Sequence, residues 1–267
     1  MHVVAVQFNV RWEDKAANFA RVRELLQGSE VPSGSLIVLP EMFSTGFSLN
    51  TGFTRQGTPP EGEQFLTELA REFDSAVMGG VVGGGGDKPT NQSVTVDPSG
   101  RVLARYAKIH PFSFGDETKH YSAGREIVTF EWGGFTIAPF VCYDLRFPEI
   151  FRAAVDRGAT LFAIVAQWPI RRAMHWSILL QARAIENQAC VVGVNRTGND
   201  PTLVYPGCSA ILDAQGTKLA EGDDQEQVLH ADLDPAAVAK WRADFPALRD
   251  RHWGLGTGDW GRRGDSQ

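Results

Sequence analysis

The sequence predicts an α/β fold, a four-layer αββα sandwich made of two pseudo-symmetric βαβαβββ halves. Three observations point to it. Short apolar runs alternate with longer periodic segments, as strands alternate with helices. The order of these elements repeats in the two halves of the 267 residues. The closing hairpins also share a turn spacing, Ser93-x-x-x-Asp97-x-x-Gly100 against Ser209-x-x-x-Asp213-x-x-Gly216. Ser, Asp and Gly are common turn residues, so this last match counts only alongside the repeated order.

In the first half, apolar runs bounded by breakers give a strand at Val3 to Phe8, a helix from about Asp14 to Leu26 and a strand at Leu36 to Pro40. A helix near Glu63 to Phe73 and a strand at Ala76 to Val82 follow. The hairpin turning at Asp97-Pro98-Ser99-Gly100 has arms at Ser93 to Val96 and Val102 to Ala107. The second half gives strand Thr136 to Val141, helix Phe147 to Asp156, strand Thr160 to Ala166, helix Met174 to Asn187 and strand Cys190 to Val194. A hairpin turning at Asp213-Ala214-Gln215-Gly216 closes it. Residues 109 to 133 are expected to join the halves, where a pocket can form. The chain is read as one domain, 1–267, with a polar tail from about Gly254.

Hydrophobic content of 43% and charged content of 22% are ordinary for a globular protein. A net charge of -6 without a block of Lys and Arg speaks against nucleic-acid or anionic-membrane partners and for a small molecule. The start lacks the basic and long apolar regions of a secretory leader, and no apolar run approaches the roughly 20 residues of a membrane span. A cytoplasmic location is therefore expected. Cys142, Cys190 and Cys208 show no paired spacing, and the six histidines lack zinc-site spacing, so neither metal nor cofactor is expected. The Gly83 to Gly86 run is not followed by the Lys-Ser/Thr of a phosphate-binding loop and reads as a flexible loop.

Cys142 sits where the apolar run from Phe135 breaks into Tyr143-Asp144-Leu145-Arg146, with a helix expected from Phe147. A thiol at a strand's carboxyl end and a helix's amino end is placed for reactivity, and the helix terminus would favour its thiolate, with a pKa below the free value. A packed core thiol is the alternative. Two more strand-like runs end in an ionisable group, at Glu41 and Lys108. A carboxylate can take a thiol proton, and an ammonium can stabilise an oxyanion. Taken singly, Glu41 could be a helix-terminal carboxylate and Lys108 a solvated hairpin residue.

The segments Leu39-Pro-Glu41-Met-Phe, Tyr106-Ala-Lys108-Ile-His and Val141-Cys142-Tyr-Asp-Leu-Arg-Phe-Pro-Glu149 resemble the three signature blocks of the nitrilase superfamily of carbon-nitrogen hydrolases. The resemblance runs from Ala5-Val-Gln7 to Phe245-Pro-Ala-Leu-Arg-Asp250. It implies a Glu41 base, a Lys108 ammonium and a Cys142 nucleophile. It also implies a second glutamate, Glu117, that positions Lys108 and the substrate amide; an exposed loop carboxylate is its alternative. Met42-Phe-Ser-Thr-Gly-Phe47, the stretch from Phe112 through Glu117 and His120 to Gly124, Gln167-Trp168-Pro169 and Ala182 to Gln188 resemble the omega-amidase branch. Gln167 stands where such sequences often carry Asn.

The resemblance implies hydrolysis of the terminal amide of a 2-oxo dicarboxylate half-amide, 2-oxoglutaramate or 2-oxosuccinamate, through a Cys142 thioester, by a homodimer or larger homo-oligomer. The Tyr143 backbone N–H would share the oxyanion with Lys108. Phe47, His120, Tyr143, Arg146 and Trp168 are the expected substrate-binding residues, although Trp168 could serve only packing. Arg146, Arg171 and Arg172 are candidates for the substrate carboxylate. A papain-like pairing of His110 or His120 with Cys142 is made unnecessary by Glu41 and Lys108. Glu186, Cys190 and Cys208 read as structural. Another acyl specificity (a carbamoyl compound, a nitrile or deaminated glutathione) and a non-catalytic binding protein remain the alternatives.

Overall fold

Each of the apolar runs read as strands is a strand in the structure, a computed structural model that describes residues 1–84 and 87–252. The first half contains β1 (His2–Gln7), α1 (Lys15–Gln27), β2 (Leu36–Val38), a short α2 (Thr51–Thr54), α3 (Glu61–Glu72), β3 (Ala76–Gly83), β4 (Thr90–Val96) and β5 (Val102–Ala107). A one-turn α4 (Glu117–His120) and β6 (Phe130–Trp132) lie in the join. The second half contains β7 (Phe135–Val141), α5 (Pro148–Asp156), β8 (Leu161–Ala166), α6 (Ala173–Asn187), β9 (Cys190–Asn195), β10 (Thr197–Asn199) and β11 (Val204–Pro206). It closes with β12 (Ala210–Leu212), β13 (Lys218–Glu221), β14 (Gln227–Asp232) and α7 (Pro235–Asp244).

Two six-stranded sheets result, ordered β14-β1-β2-β3-β4-β5 and β13-β12-β9-β8-β7-β6. In each, the three leading strands run parallel, Val3 beside Leu36 beside Ala76 and Ile137 beside Leu161 beside Cys190. Their carboxyl ends therefore point the same way within each sheet, which is where open α/β sheets collect ligands.

The period-two alternation of strand side chains builds the layers. Val3, Ala5, Leu36, Val38, Ala76 and Met78 share a buried cluster with Ile137, Phe140 and Leu161 of the second sheet. The residues between them, Val4, Val6, Ile37 and Val77, pack instead against Val22 and Leu26 of α1 and Phe65, Leu66 and Leu69 of α3. Across the second sheet, Phe151 and Ala154 of α5 and Trp176, Leu180 and Ala184 of α6 complete the outer layer. Each such fully buried large apolar side chain contributes about 1.5–3 kcal/mol.

Four strands depart from the sequence reading, two of them, β10 and β11, pairing with each other in a separate small sheet, Gly198 opposite Tyr205. β14 follows the second half in sequence yet pairs antiparallel with β1, His2 opposite Asp232, and so closes the first sheet. β6, inside the stretch expected only to join the halves, forms the edge of the second sheet beside β7. The polar tail from about Gly254 lies outside the described residues, as do Gly85 and Gly86. No described helix is long and apolar enough to cross a membrane.

Candidate active site

Glu41 stands just beyond the end of β2. The chain turns there beneath β3, with Gly80 N–H bonded to Pro40 O at 3.1 Å and Phe43 N–H to Gly80 O at 3.2 Å. Gly80 is required, since a Cβ would lie 2.4 Å from Glu41 Cα. Lys108 follows β5, its N–H bonded to Asn91 O at 2.8 Å and its carbonyl accepting from Gly124 N–H at 2.7 Å. Cys142 follows β7 in a left-handed conformation, φ 47°, and opens a 3-10 turn, Cys142–Arg146, ahead of α5. A non-glycine residue held at positive φ is a strain that persists only where its surroundings enforce it.

These strand ends converge. Lys108 Nζ donates to Glu41 Oε1 at 2.9 Å and to Glu117 Oε2 at 2.8 Å, with all three side chains essentially closed to solvent. Glu117 is thus a buried partner of Lys108, not an exposed loop carboxylate. It also accepts from Phe112 N–H at 2.6 Å. Asn91 Nδ2 bridges the two carboxylates, at 2.7 Å from Glu41 Oε1 and 2.8 Å from Glu117 Oε1. Gln167, just after β8, gives its N–H to Glu41 Oε2 at 2.8 Å, and its carbonyl lies 3.8 Å from Cys142 Sγ.

Burial opposes the Lys108 ammonium, but the charges of Glu117 and Glu41 outweigh it and hold its pKa well above the ordinary lysine value. Burial, then the facing charge of Glu41, drives the Cys142 thiol well above its ordinary value, against a smaller pull from Lys108. The expected depressed pKa is therefore wrong. The ammonium is already matched by two carboxylates, and α5 begins only at Pro148, too far on for its N-terminus to decide the charge of the thiol. The resting nucleophile is a thiol with a carboxylate beside it.

Glu41, Lys108 and Cys142 line one cavity of about 490 Å³, together with Phe47, Leu49, Phe112, Tyr143, Arg146, Trp168, Arg172 and Leu203. Trp168 is only 3% exposed and also donates its Nε1–H to Arg172 O at 2.7 Å, so it both lines and packs. Arg146 lies 4.7 Å from the Trp168 ring and Arg172 lies 5.3 Å from that of Phe112, whereas Arg171 is exposed and outside the lining. His120 does not line the cavity. It ends α4, half-buried, while Glu117 on the same short helix turns inward. His110 is held by Asp144 at 2.9 Å and stacked on Phe147, so neither histidine serves Cys142.

A family model described as carbon-nitrogen hydrolase matches residues 2–243. The chain belongs to the carbon-nitrogen hydrolase family. The chain is 41% identical over 243 residues to an omega-amidase, YafV, of Yersinia enterocolitica, covering 90% of this chain and 92% of that one. A 2-oxoglutaramate amidase of Bacillus subtilis is 32% identical over 93% of this chain and 96% of its own. Among solved structures, a CN-hydrolase superfamily protein from Xanthomonas campestris, with an arsenic adduct in its active site, superposes with a TM-score of 0.89 at 37% identity. That match covers 94% of this chain and 97% of the other. As in other carbon-nitrogen hydrolases the fold is mixed α/β, with two sheets flanked by helices.

Within this carbon-nitrogen hydrolase, sequence reasoning misses several site residues. Asn91 is the second residue of β4, which begins earlier than the run read from Ser93, and a buried polar residue inside a strand is the signal that marks it. Gln167 is noticed only as a departure. In the structure its Nε2 bonds Glu41 O at 2.7 Å and its Oε1 accepts Phe47 N–H at 3.0 Å, clamping the turn that carries Glu41. Glu186 and Cys190 are structural as read: Glu186 accepts from Arg183 Nη1 at 2.9 Å, and burial pushes the Cys190 thiol to about 12.

Proposed function

We propose that the chain is an omega-amidase, hydrolysing the terminal amide of a small 2-oxo dicarboxylate half-amide such as 2-oxoglutaramate or 2-oxosuccinamate to the 2-oxo acid and ammonia. The observation that carries the reading is the buried Glu41–Lys108–Glu117 group beside Cys142, at a cavity that also holds two arginines.

Cys142 Sγ attacks the amide carbonyl while Glu41 takes the thiol proton and passes it to the departing nitrogen, which leaves as ammonia. Lys108 cannot be the base, since its charge is held by Glu117 and Glu41. With the Tyr143 backbone N–H, it stabilises the oxyanion. Water then gives a proton to Glu41 and attacks the thioester, the acid departs, and the thiol recovers its proton.

Arg146 and Arg172 are close enough for Arg172 to add to burial in lowering the Arg146 pKa. Among the described residues neither is paired with a carboxylate. Two neighbouring unpaired cations at a cavity wall suit the α-keto carboxylate of such a substrate, with Phe47, Tyr143 and Trp168 bounding its short chain. The α-ammonium of glutamine would be desolvated beside the same cations, which discriminates against it. Ammonia release from 2-oxoglutaramate, 2-oxosuccinamate, glutamine, asparagine, a simple nitrile and an N-carbamoyl amino acid tests the reading. The 2-oxo amides should give the highest kcat/KM; a nitrile or carbamoyl compound in first place would overturn the substrate assignment.

Pairing with a second copy is part of the proposal. Ile170, Met174, Ile178 and Ile185 are each more than half exposed at helical spacing along α6 and the turn before it, an apolar stripe suited to a like stripe. A reducing compartment such as the cytoplasm fits a chemistry that needs the free Cys142 thiol.

A further inference from the structure

Asp144 takes no part in the chemistry above, yet it is sealed from solvent and accepts four hydrogen bonds. Its Oδ2 accepts from the Tyr106 hydroxyl at 2.9 Å and the Val141 N–H at 3.2 Å. Its Oδ1 accepts from the His110 N–H and from His110 Nδ1, each at 2.9 Å. A buried carboxylate is costly unless its lone pairs are filled, and here both oxygens are filled by donors.

The positions of those donors matter. Tyr106 and His110 stand two residues to either side of Lys108, and Val141 immediately precedes Cys142. One carboxylate thus ties the strand end that carries the ammonium to the turn that carries the thiol. The Asp144 carbonyl also accepts from Phe147 N–H at 3.0 Å, closing the turn on its far side. Cys142 at φ 47° needs such a constraint. Asp144 is absent from the cavity lining, so it acts through its neighbours.

We propose that Asp144 is a positioning residue that holds Lys108 and Cys142 at their working separation. The inference rests on the amidase reading in taking those two residues as the reacting pair. Small displacements suffice for a large effect, since a misplacement of about 1 Å can cost about a hundredfold in rate.

The test compares Asp144→Asn and Tyr106→Phe with the wild-type chain, each checked for fold by circular dichroism and size. Asparagine presents an N–H group where two donors already point; the tyrosine change removes a single donor. The expected result is a fall in kcat of about a hundredfold for Asp144→Asn and about tenfold for Tyr106→Phe, with KM within about threefold. The rate of Cys142 alkylation by iodoacetamide, read by peptide mapping, should change at least about tenfold in Asp144→Asn. A kcat within about twofold of wild type in both variants, or a loss confined to KM, overturns the proposal. Should Asp144→Asn fail to fold, Tyr106→Phe decides by the same split between kcat and KM. A wild-type chain that hydrolyses none of the amides defeats the amidase reading, while the alkylation rates still decide the positioning role.

Discussion

Lys108 Nζ and Glu117 Oε2 lie 2.8 Å apart with both side chains closed to solvent. Together with Glu41 they make a buried group of two carboxyl side chains on one ammonium. Burial first, and then the facing Glu41, keeps the proton on Cys142, and Glu41 is placed to accept it.

Glu117→Gln removes one of the two charges that hold Lys108. Breaking a buried ion pair from one side costs about 3–5 kcal/mol, and the low end applies here because Glu41 still faces the ammonium. Denaturant unfolding should therefore lose about 3 kcal/mol. Activity should fall about a hundredfold as Lys108 loses its fixed position. Unchanged stability would mean that Glu41 alone suffices to hold the ammonium.

Cys142→Ala should abolish ammonia release and leave the fold intact. Replacing a nucleophile costs up to about a millionfold in well-studied hydrolases, and the vacated side chain is small. More than about a tenth of the wild-type rate would be incompatible with a thioester route.

The state of the thiol can be read by absorbance near 240 nm in a Cys190→Ala, Cys208→Ala background. Because burial and Glu41 raise the Cys142 pKa, the folded protein should show no thiolate signal at neutral pH, and the signal should rise only in the alkaline range. Glu41→Gln removes the nearby negative charge, which disfavoured the thiolate, so the midpoint should move down. A thiolate already present at pH 7 would refute this account of the charge balance.

Arg172→Ala should raise KM for 2-oxoglutaramate more than it lowers kcat, because a carboxylate contact is made in ground and transition states alike. A charge-assisted hydrogen bond of about 1.5–3 kcal/mol corresponds to a change in kcat/KM of about tenfold to a hundredfold. For an amide without the carboxylate the same variant should match wild type; an equal loss on both substrates would remove Arg172 from the carboxylate site.

The α6 stripe predicts a self-associated chain. Light scattering should give at least twice the monomer mass at micromolar concentration, and Ile178→Glu should lower it. A monomer across that range would leave the exposed isoleucines without a partner.

The strands and helices were legible because buried strands and amphipathic helices differ in apolar period, and Glu41, Lys108 and Cys142 because each ends a strand-like run. β14 was not: a run such as Gln227-Val-Leu-His-Ala-Asp232 states that it is extended and does not state whose edge it joins. Cys142's charge state was misread because pKa depends on burial and on partners brought from residues 41 and 117, neither of which a local turn reveals. Asn91 and Asp144 escaped for a related reason. Their donors and acceptors lie on other strands, and only the folded chain brings them together.

The pairing of β1 with β14 has a consequence for how the chain comes off the ribosome. β1 is made long before its antiparallel partner β14 and must wait for Gln227–Asp232 to arrive. Until then β1 presents an unpaired edge, a template for the wrong neighbour. A nascent chain stalled before residue 227 should thus hold a first sheet open on one side, vulnerable to aggregation and to protease. Arrival of β14 seals that edge of the first sheet.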